Sequence, residues 1–438
     1  MYLVYRKAVY ITFVIIFFIT APIIVLYTSG YRYNLSKGRI QKTGILIISS
    51  IPKKADIYLN SKKVENKSTP AEIKNVLPGD YEIILSKNGY HNWQKKLPVY
   101  ENFTTFAEKV NLWKIASSTQ LSNSVISHWQ ASSDGNKIAF GDSSGLIGVF
   151  DLNDNTFNNL ESLPNDSKLK NISWSKDNKK ILIEYTISLS NHLLIYDINS
   201  NKSQIIENKN YANIKWSLDN DNIIYGKNEA GLWQINTANN SSELILNAVL
   251  TGDYIIENNY LYGINDKFIY RKNINDKNST PEDIDSIACP SCNFISNNSN
   301  RIILQDGNQS LFIVDPNRQR PTVSAKAKNI DWLNSDNIMY YNDFEIWIYN
   351  FKEGTPKLIT RFGQSISQAV WQPQGKHIIF ASDNKIKIIE LDDRELRNII
   401  DLTNNTNIKF LKIDRKGNNL FFAGESDNKA GIFELNIQ

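Results

Sequence analysis

Residues 126–151 read ISHWQASSDGNKIAFGDSSGLIGVFD, and this stretch decides the fold. An apolar residue and a Trp lead into a polar turn carrying Asp134 and Gly135; two apolar runs follow, separated by a second turn. Apolar runs of strand length bounded by Asp- and Gly-containing turns are a hairpin signal. The unit returns as ISWSKDNKKILI with LLIYDI from Ile172, and as IKWSLDNDNIIYG with LWQI from Ile214. It returns again as IDWLNSDNIMYY with IWIY from Ile330, AVWQPQGKHIIF with IKIIEL from Ala369, and FLKIDRKGNNLFF with GIFEL from Phe410. Trp129 and Trp174 are 45 residues apart, Trp174 and Trp216 are 42 apart, and Trp332 and Trp371 are 39 apart. Such a period, roughly 40–50 residues, belongs to a four-stranded propeller blade. The 116 residues between Trp216 and Trp332 leave room for two degenerate units, AVLTGDYIIENNYLYG with FIYR and NFISNNSNRIILQD with LFIVD. The count is then about eight blades, with seven as the alternative.

Each residue choice has a physical reason. A Trp ending an inner strand fills the wedge between adjacent blades, burying roughly 200 Å² of ring. Asp134, Asp177, Asp219 and Asp336 are expected to bond the following backbone N–H groups, and Gly135, Gly375 and Gly417 to supply positive φ. A stacked blade is buried on both faces, so its strands read IIF, ILI and IMYY without polar alternation. Ser118–Ser124 reads as an outer strand that closes the ring beside Gly431–Leu435, removing an exposed edge. The array resembles the TolB-like (WD40-like) β-propellers: Trp174-Ser175, Trp216-Ser217 and Trp371-Gln372-Pro373 keep parts of their Trp-Ser-Pro-Asp-Gly signature. That resemblance implies a fold and leaves the ligand open.

Upstream, Gly44–Trp113 breaks into short strand-like runs, GILIISS, ADIYLN and DYEIILSK, separated by Ile51-Pro52, Asn60-Ser61 and Asn88-Gly89. Tyr81, Ile83 and Leu85 alternate with Glu82 and Ser86, as a strand with one buried face requires. The order of Gly44, Pro52 with Ala55, Ile57-Tyr58-Leu59, Thr69-Pro70, Leu77-Pro78-Gly79-Asp80-Tyr81, Gly89-Tyr90 and Trp93 resembles a PEGA domain, a small surface-associated β-sandwich. Lys53 and Lys54 stand where the name-giving motif has Glu and Gly. The resemblance implies an adhesive or spacing module without catalytic residues.

Further upstream, Ala8–Tyr27 is an uncharged run of 20 residues. At ~1.5 Å per residue it spans about 30 Å, the thickness of a bilayer's hydrocarbon core. Tyr2, Tyr5, Tyr27, Tyr31 and Tyr33 suit the two aromatic belts, and YTSGYRYN offers no small-x-small cleavage site. An uncleaved single-pass anchor is expected, its partner the lipid bilayer. Arg6 and Lys7 precede the helix while Arg32, Lys37, Arg39 and Lys42 follow, a count favouring a cytoplasmic C-terminal part. Both modules resembled are typically extracytoplasmic, and the resemblance implies the outward orientation at the cell membrane. The expected organisation is 1–42 for tail, anchor (8–27) and linker, 43–114 for the β-sandwich, and 115–438 for the propeller.

The chain of 438 residues carries 49 Lys+Arg against 45 Asp+Glu, interspersed rather than blocked, so no nucleic-acid footprint is present. Gly141-Asp142-Ser143-Ser144-Gly145 fits G-x-S-x-G but lies between two strands, where a hairpin loop is expected. Cys289-Pro290-Ser291-Cys292 lacks the further ligands of a zinc site and the βαβ setting of a redox motif; a disulfide between Cys289 and Cys292, or free thiols, remain. Asp219–Asn222 lacks the Gly and Glu of an EF-hand. Lys53, Lys54, Lys62 and Lys63 form a solvated face, with a basic face toward anionic lipid or wall polymer as the alternative. His91, His128, His192 and His377 are scattered. No catalytic, cofactor or metal residues are assigned. The expected function is a non-catalytic propeller platform, membrane-anchored in the cell envelope, that binds protein or glycan through face loops and channel mouth. The alternatives are a propeller enzyme acting on envelope glycans and a structural spacer of a surface layer.

Overall fold

The computed structural model describes residues 2–438 except 36, 266–267, 277, 288, 290, 297–300, 318 and 405. It divides into two compact units, one of residues 1–116, 389–402 and 437–438, the other of residues 117–388 and 403–436.

The first unit begins with helix α1 (Tyr2–Thr28), which contains the uncharged run and Pro22 and is long and apolar enough to cross a membrane. The hydroxyls of Thr12, Thr20 and Thr28 each donate to the carbonyl four residues earlier, at 2.9 Å, so their polarity is satisfied within the helix. A hairpin follows, β1 (Tyr31–Asn34) paired antiparallel with β2 (Arg39–Lys42). The module is then built from β3 (Gly44–Ile51), β4 (Asp56–Leu59), β5 (Lys62–Ser68), β6 (Ala71–Val76), β7 (Gly79–Ser86), β8 (Trp93–Val99) and β9 (Thr104–Asn111). They form two sheets, β6-β3-β9 and β5-β4-β7-β8, with β3 and β9 parallel. Leu46, Ile48, Ile57, Ile83, Leu85 and Leu97 are fully buried in one core cluster, as alternating faces of these strands require. Gly44 opens β3 because no side chain fits there: a Cβ would stand 2.5 Å from the Tyr100 carbonyl oxygen.

The alternation of β8 turns Lys95 inward together with Trp93, Leu97 and Val99. A buried ammonium needs partners, and residues 389–402 supply them. Lys95 Nζ pairs with Glu390 and donates to the Asp392 carbonyl at 2.7 Å; the Trp93 indole donates to the Glu390 carboxylate at 2.9 Å. Arg394 bonds the Phe106 carbonyl at 2.6 Å, and the Asn398 amide that of Gln94 at 2.8 Å.

Beyond the module the chain forms four-stranded sheets of sequential strands whose first strands begin at Ile126, Ser167, Ala212, Tyr254, Asn293, Asn329 and Ile366, and a last sheet begun at Thr406 that takes its outer strand from earlier in the chain. The Trp-less units expected between Trp216 and Trp332 are sheets, although residues 297–300 of the second lie outside the described residues. In the last sheet the outer strand is β10 (Thr119–Ser122), with Thr119 opposite Glu434 and Gln120 opposite Phe433. The N-terminal strand is therefore hydrogen-bonded to the C-terminal one.

Three of the repeated Trp residues act across sheets by a bond as well as by area. The indole N–H of Trp174 donates to the Gln130 carbonyl at 2.8 Å, that of Trp216 to Ser173 at 3.2 Å, and that of Trp371 to Asp331 at 3.2 Å. Each acceptor is on the first strand of the preceding sheet. In the Trp-less sheet Tyr254 takes this place, its hydroxyl donating to the Asn213 carbonyl at 2.9 Å. Turn chemistry follows expectation at Asp134 and Asp177, which accept from the N–H of Asn136 and Lys179. It departs from expectation at Asp219, which accepts from Asn258 N–H in the next sheet at 2.9 Å, and at Asp336, which pairs with Lys352 at 2.6 Å. In those two turns Asn220 and Asn334 cap instead, freeing the carboxylates for longer-range partners.

Candidate functional site

A cavity of about 470 Å³ opens where the first strands of the second to fifth sheets begin. Strand register brings Asn171, Asn213, Lys215, Asp253 and Phe294 to it from four sheets, and the turn at 187–190 adds Glu184, Tyr185 and His192. Asp253 is its hub. The Asp253 carboxylate accepts from Lys215 Nζ at 2.6 Å and from the Phe294 N–H at 2.8 Å, and its side chain is 3% exposed. One carboxylate thus joins the third, fourth and fifth sheets. Lys227 approaches from behind, donating to the carbonyls of Leu250 and Gly252.

Electrostatics in this cavity are set by burial against pairing. Burial pushes the Lys215 ammonium below its ordinary value, and the charge and hydrogen bond of Asp253 oppose that. Burial pushes the Glu184 carboxyl up, opposed by the Asn171 amide at 2.9 Å and by the charge of Lys170. The aromatic faces are occupied: Tyr185 stacks on His192 at 5.3 Å, and Tyr211 lies 6.1 Å from Trp233. Tyr211 is 2% exposed and lines the cavity, yet its hydroxyl has no hydrogen-bond partner. A buried polar group without a partner costs about 1–3 kcal/mol, and this hydroxyl, closed off from the cavity space, belongs to the wall. The arrangement offers paired charges and four carboxamides, those of Asn171, Asn191, Asn213 and Asn293, which suits recognition of a polar chain better than covalent chemistry.

The residues singled out in the sequence are elsewhere, His192 excepted. Gly141–Gly145 is a hairpin turn in which Asp142 accepts from the N–H groups of Ser144 and Leu146. Asp219–Asn222 is spent on cross-sheet bonds, Asp221 accepting from the Asp177 N–H at 3.0 Å. Lys63 is paired with Asp56 at 2.9 Å, which removes one charge from the basic face. Cys289 and Cys292 are joined in this structure, their Cα atoms 5.4 Å apart, within the apolar cluster of Ile287 and Phe294. His91 and His377 are in different units; His128 bonds Ser127 at 3.1 Å. Among the described residues no three His, Cys, Asp or Glu side chains gather as a metal site would require. Sequence reasoning missed Tyr211, Lys215, Asp253 and Glu184. A signal existed: Asn171 and Asn213 both stand three residues before the repeat Trp, and Asp253 and Asn293 continue that spacing of about 40.

Comparison with known proteins bears on both units. Residues 43–112 match the PEGA domain family. The chain is similar in structure to the C-terminal WD40 domain of Sif2, with a TM-score of 0.51 and 11% identity, over 73% of this chain and 98% of that one. It is also similar to the WD40 repeats of RRP9, with a TM-score of 0.46 and 10% identity, over 74% of this chain and 97% of that one. No curated protein matches the sequence. The likeness to the Sif2 domain shows a WD40-like propeller fold and, at 11% identity, nothing about ligands.

Proposed function

We propose that this chain is a membrane-anchored, non-enzymatic propeller platform of the cell envelope, and that it binds a protein partner at the cavity around Asp253. We read the chain as tail, anchor and linker over 1–42, PEGA module over 43–114, and over 115–438 a propeller whose eight sheets close as eight blades. The single observation supporting the binding reading is the Lys215–Asp253 pair held in the cavity wall among the carboxamides of Asn171, Asn213 and Asn293. A peptide segment, with alternating N–H and C=O groups, complements such a surface. A sugar ring is less well served, since carbohydrate sites offer open aromatic faces, and here Tyr185 is covered by His192. The outward orientation rests on the PEGA match, because such domains are extracellular; an oxidising compartment also lets Cys289 and Cys292 stay bonded.

The test is photo-crosslinking in cells from p-benzoylphenylalanine placed at Asn191, on the cavity rim, and at Lys202, in the outer strand of the same sheet. The expected result is a discrete protein adduct from position 191, absent from position 202 and lost in Asp253→Asn. Equal adducts from both positions, or adducts indifferent to Asp253→Asn, contradict the reading.

A further inference from the structure

Between the spanning helix and the PEGA module lies the hairpin β1–β2, and its two faces differ. Arg32, Asn34, Arg39 and Gln41 share one face, on which Asn34 and Gln41 are each only 4% exposed and Arg39 Nε donates to Gln41 Oε1 at 3.2 Å. On the other, Tyr33 stands opposite Ile40, exposed by 57% and 56%, and Leu35 at the tip is 87% exposed. Two large apolar side chains are thus held on one open face, with Leu35 exposed in the turn beside them.

The hairpin is bound to the helix end. Arg32 donates to the Tyr27 carbonyl at 2.7 Å, with its guanidinium 3.6 Å from the Tyr27 ring. Thr43 closes the hairpin base through its N–H and hydroxyl, both on the Gly30 carbonyl at 3.0 and 2.9 Å. Only Ser29 and Gly30 separate α1 from β1. Three extended residues reach at most about 10 Å, and the headgroup layer on each side of a bilayer is roughly 5–8 Å deep. A bilayer spanned by α1 therefore meets the hairpin at headgroup depth. Charge points the same way: Arg32, Lys37, Arg39 and Lys42 lie here, and the first acidic residue of the chain is Asp56. An apolar face rimmed by Lys and Arg is the composition of interfacial elements on anionic lipid, where each cation contributes about 1 kcal/mol.

We infer that the β1–β2 hairpin is a second membrane contact: Tyr33, Leu35 and Ile40 seat at the boundary of headgroup and acyl chain, and Lys37, Arg39 and Lys42 bind lipid phosphates. The hairpin then fixes how the chain leaves the membrane, which one helix alone does not. This rests on α1 spanning the bilayer, and the test separates the two. The full-length chain is placed in nanodiscs of phosphatidylcholine with or without phosphatidylglycerol, carrying p-benzoylphenylalanine at Phe17 in the helix, at Leu35, or at the exposed propeller residue Leu189. Irradiation is expected to add lipid mass at position 17 in both discs. At position 35 it should do so in phosphatidylglycerol discs at least about tenfold above position 189, falling to the level of position 189 in K37E/R39E/K42E. Labelling at 17 with none above background at 35 overturns the hairpin contact and leaves the anchor standing. Labelling at 35 that ignores phosphatidylglycerol and the charge reversals overturns the phosphate contacts. No lipid at 17 overturns the spanning helix, and the hairpin contact with it.

Discussion

Asp253 carries the binding reading because its carboxylate gathers Lys215 and the Phe294 N–H in the cavity wall. Tyr211→Phe removes a buried hydroxyl of that wall and leaves the cavity's open polar groups in place. The free protein should become more stable by about 0.5–1.5 kcal/mol, seen as a higher unfolding midpoint, while the crosslinked adduct at position 191 persists. A loss of stability would mean that the hydroxyl is already satisfied. At this scale the sequence was legible where one residue does one repeated thing. Trp174, Trp216 and Trp371 announce themselves by spacing, and their indoles do reach the preceding sheet. Tyr254 was not legible, because a Tyr hydroxyl replaces an indole N–H only once the register is known; Asp253 continues the repeat spacing, but its partners, 38 and 41 residues away, are fixed only by the fold.

Among the elements, the segment 389–402 is the least expected. Nothing in its sequence says that Glu390 and Asp392 receive a buried lysine; Lys95 itself sits in an alternating strand at a position where an apolar residue is the rule. Lys95→Met leaves the Glu390 carboxylate buried without its cation, a loss of about 3–5 kcal/mol. The same segment carries a pH dependence. Burial alone would raise the Asp392 carboxyl, but the guanidinium and backbone N–H of Arg394, with the charge of Lys95, hold it down at about 2. A carboxyl depressed on folding stabilises the fold above its unfolded value near 4, and that contribution disappears as pH falls from 4 to 2. With a side chain 30% exposed, the share is about 1–2 kcal/mol. Unfolding midpoints of the wild type and Asp392→Asn should converge across that window; parallel curves would contradict it.

For the whole molecule, the period of about 40 residues was enough to foresee a mainly β chain with a propeller, because each blade must bury both faces and pays for it with the same residues each time. The 20-residue apolar run and the turn chemistry of residues 44–113 were equally readable. The cavity was not, since it exists only where four sheets meet and none of its residues forms a local motif. Central to the account is a closed ring tethered to a bilayer by the first 28 residues, and electron cryomicroscopy of the full-length chain in nanodiscs tests it most directly. The predicted image is a helix crossing the disc and a closed ring of eight four-stranded blades, the last completed by Thr119–Ser122. An open or seven-bladed assembly, or protein that leaves the discs empty, would contradict it.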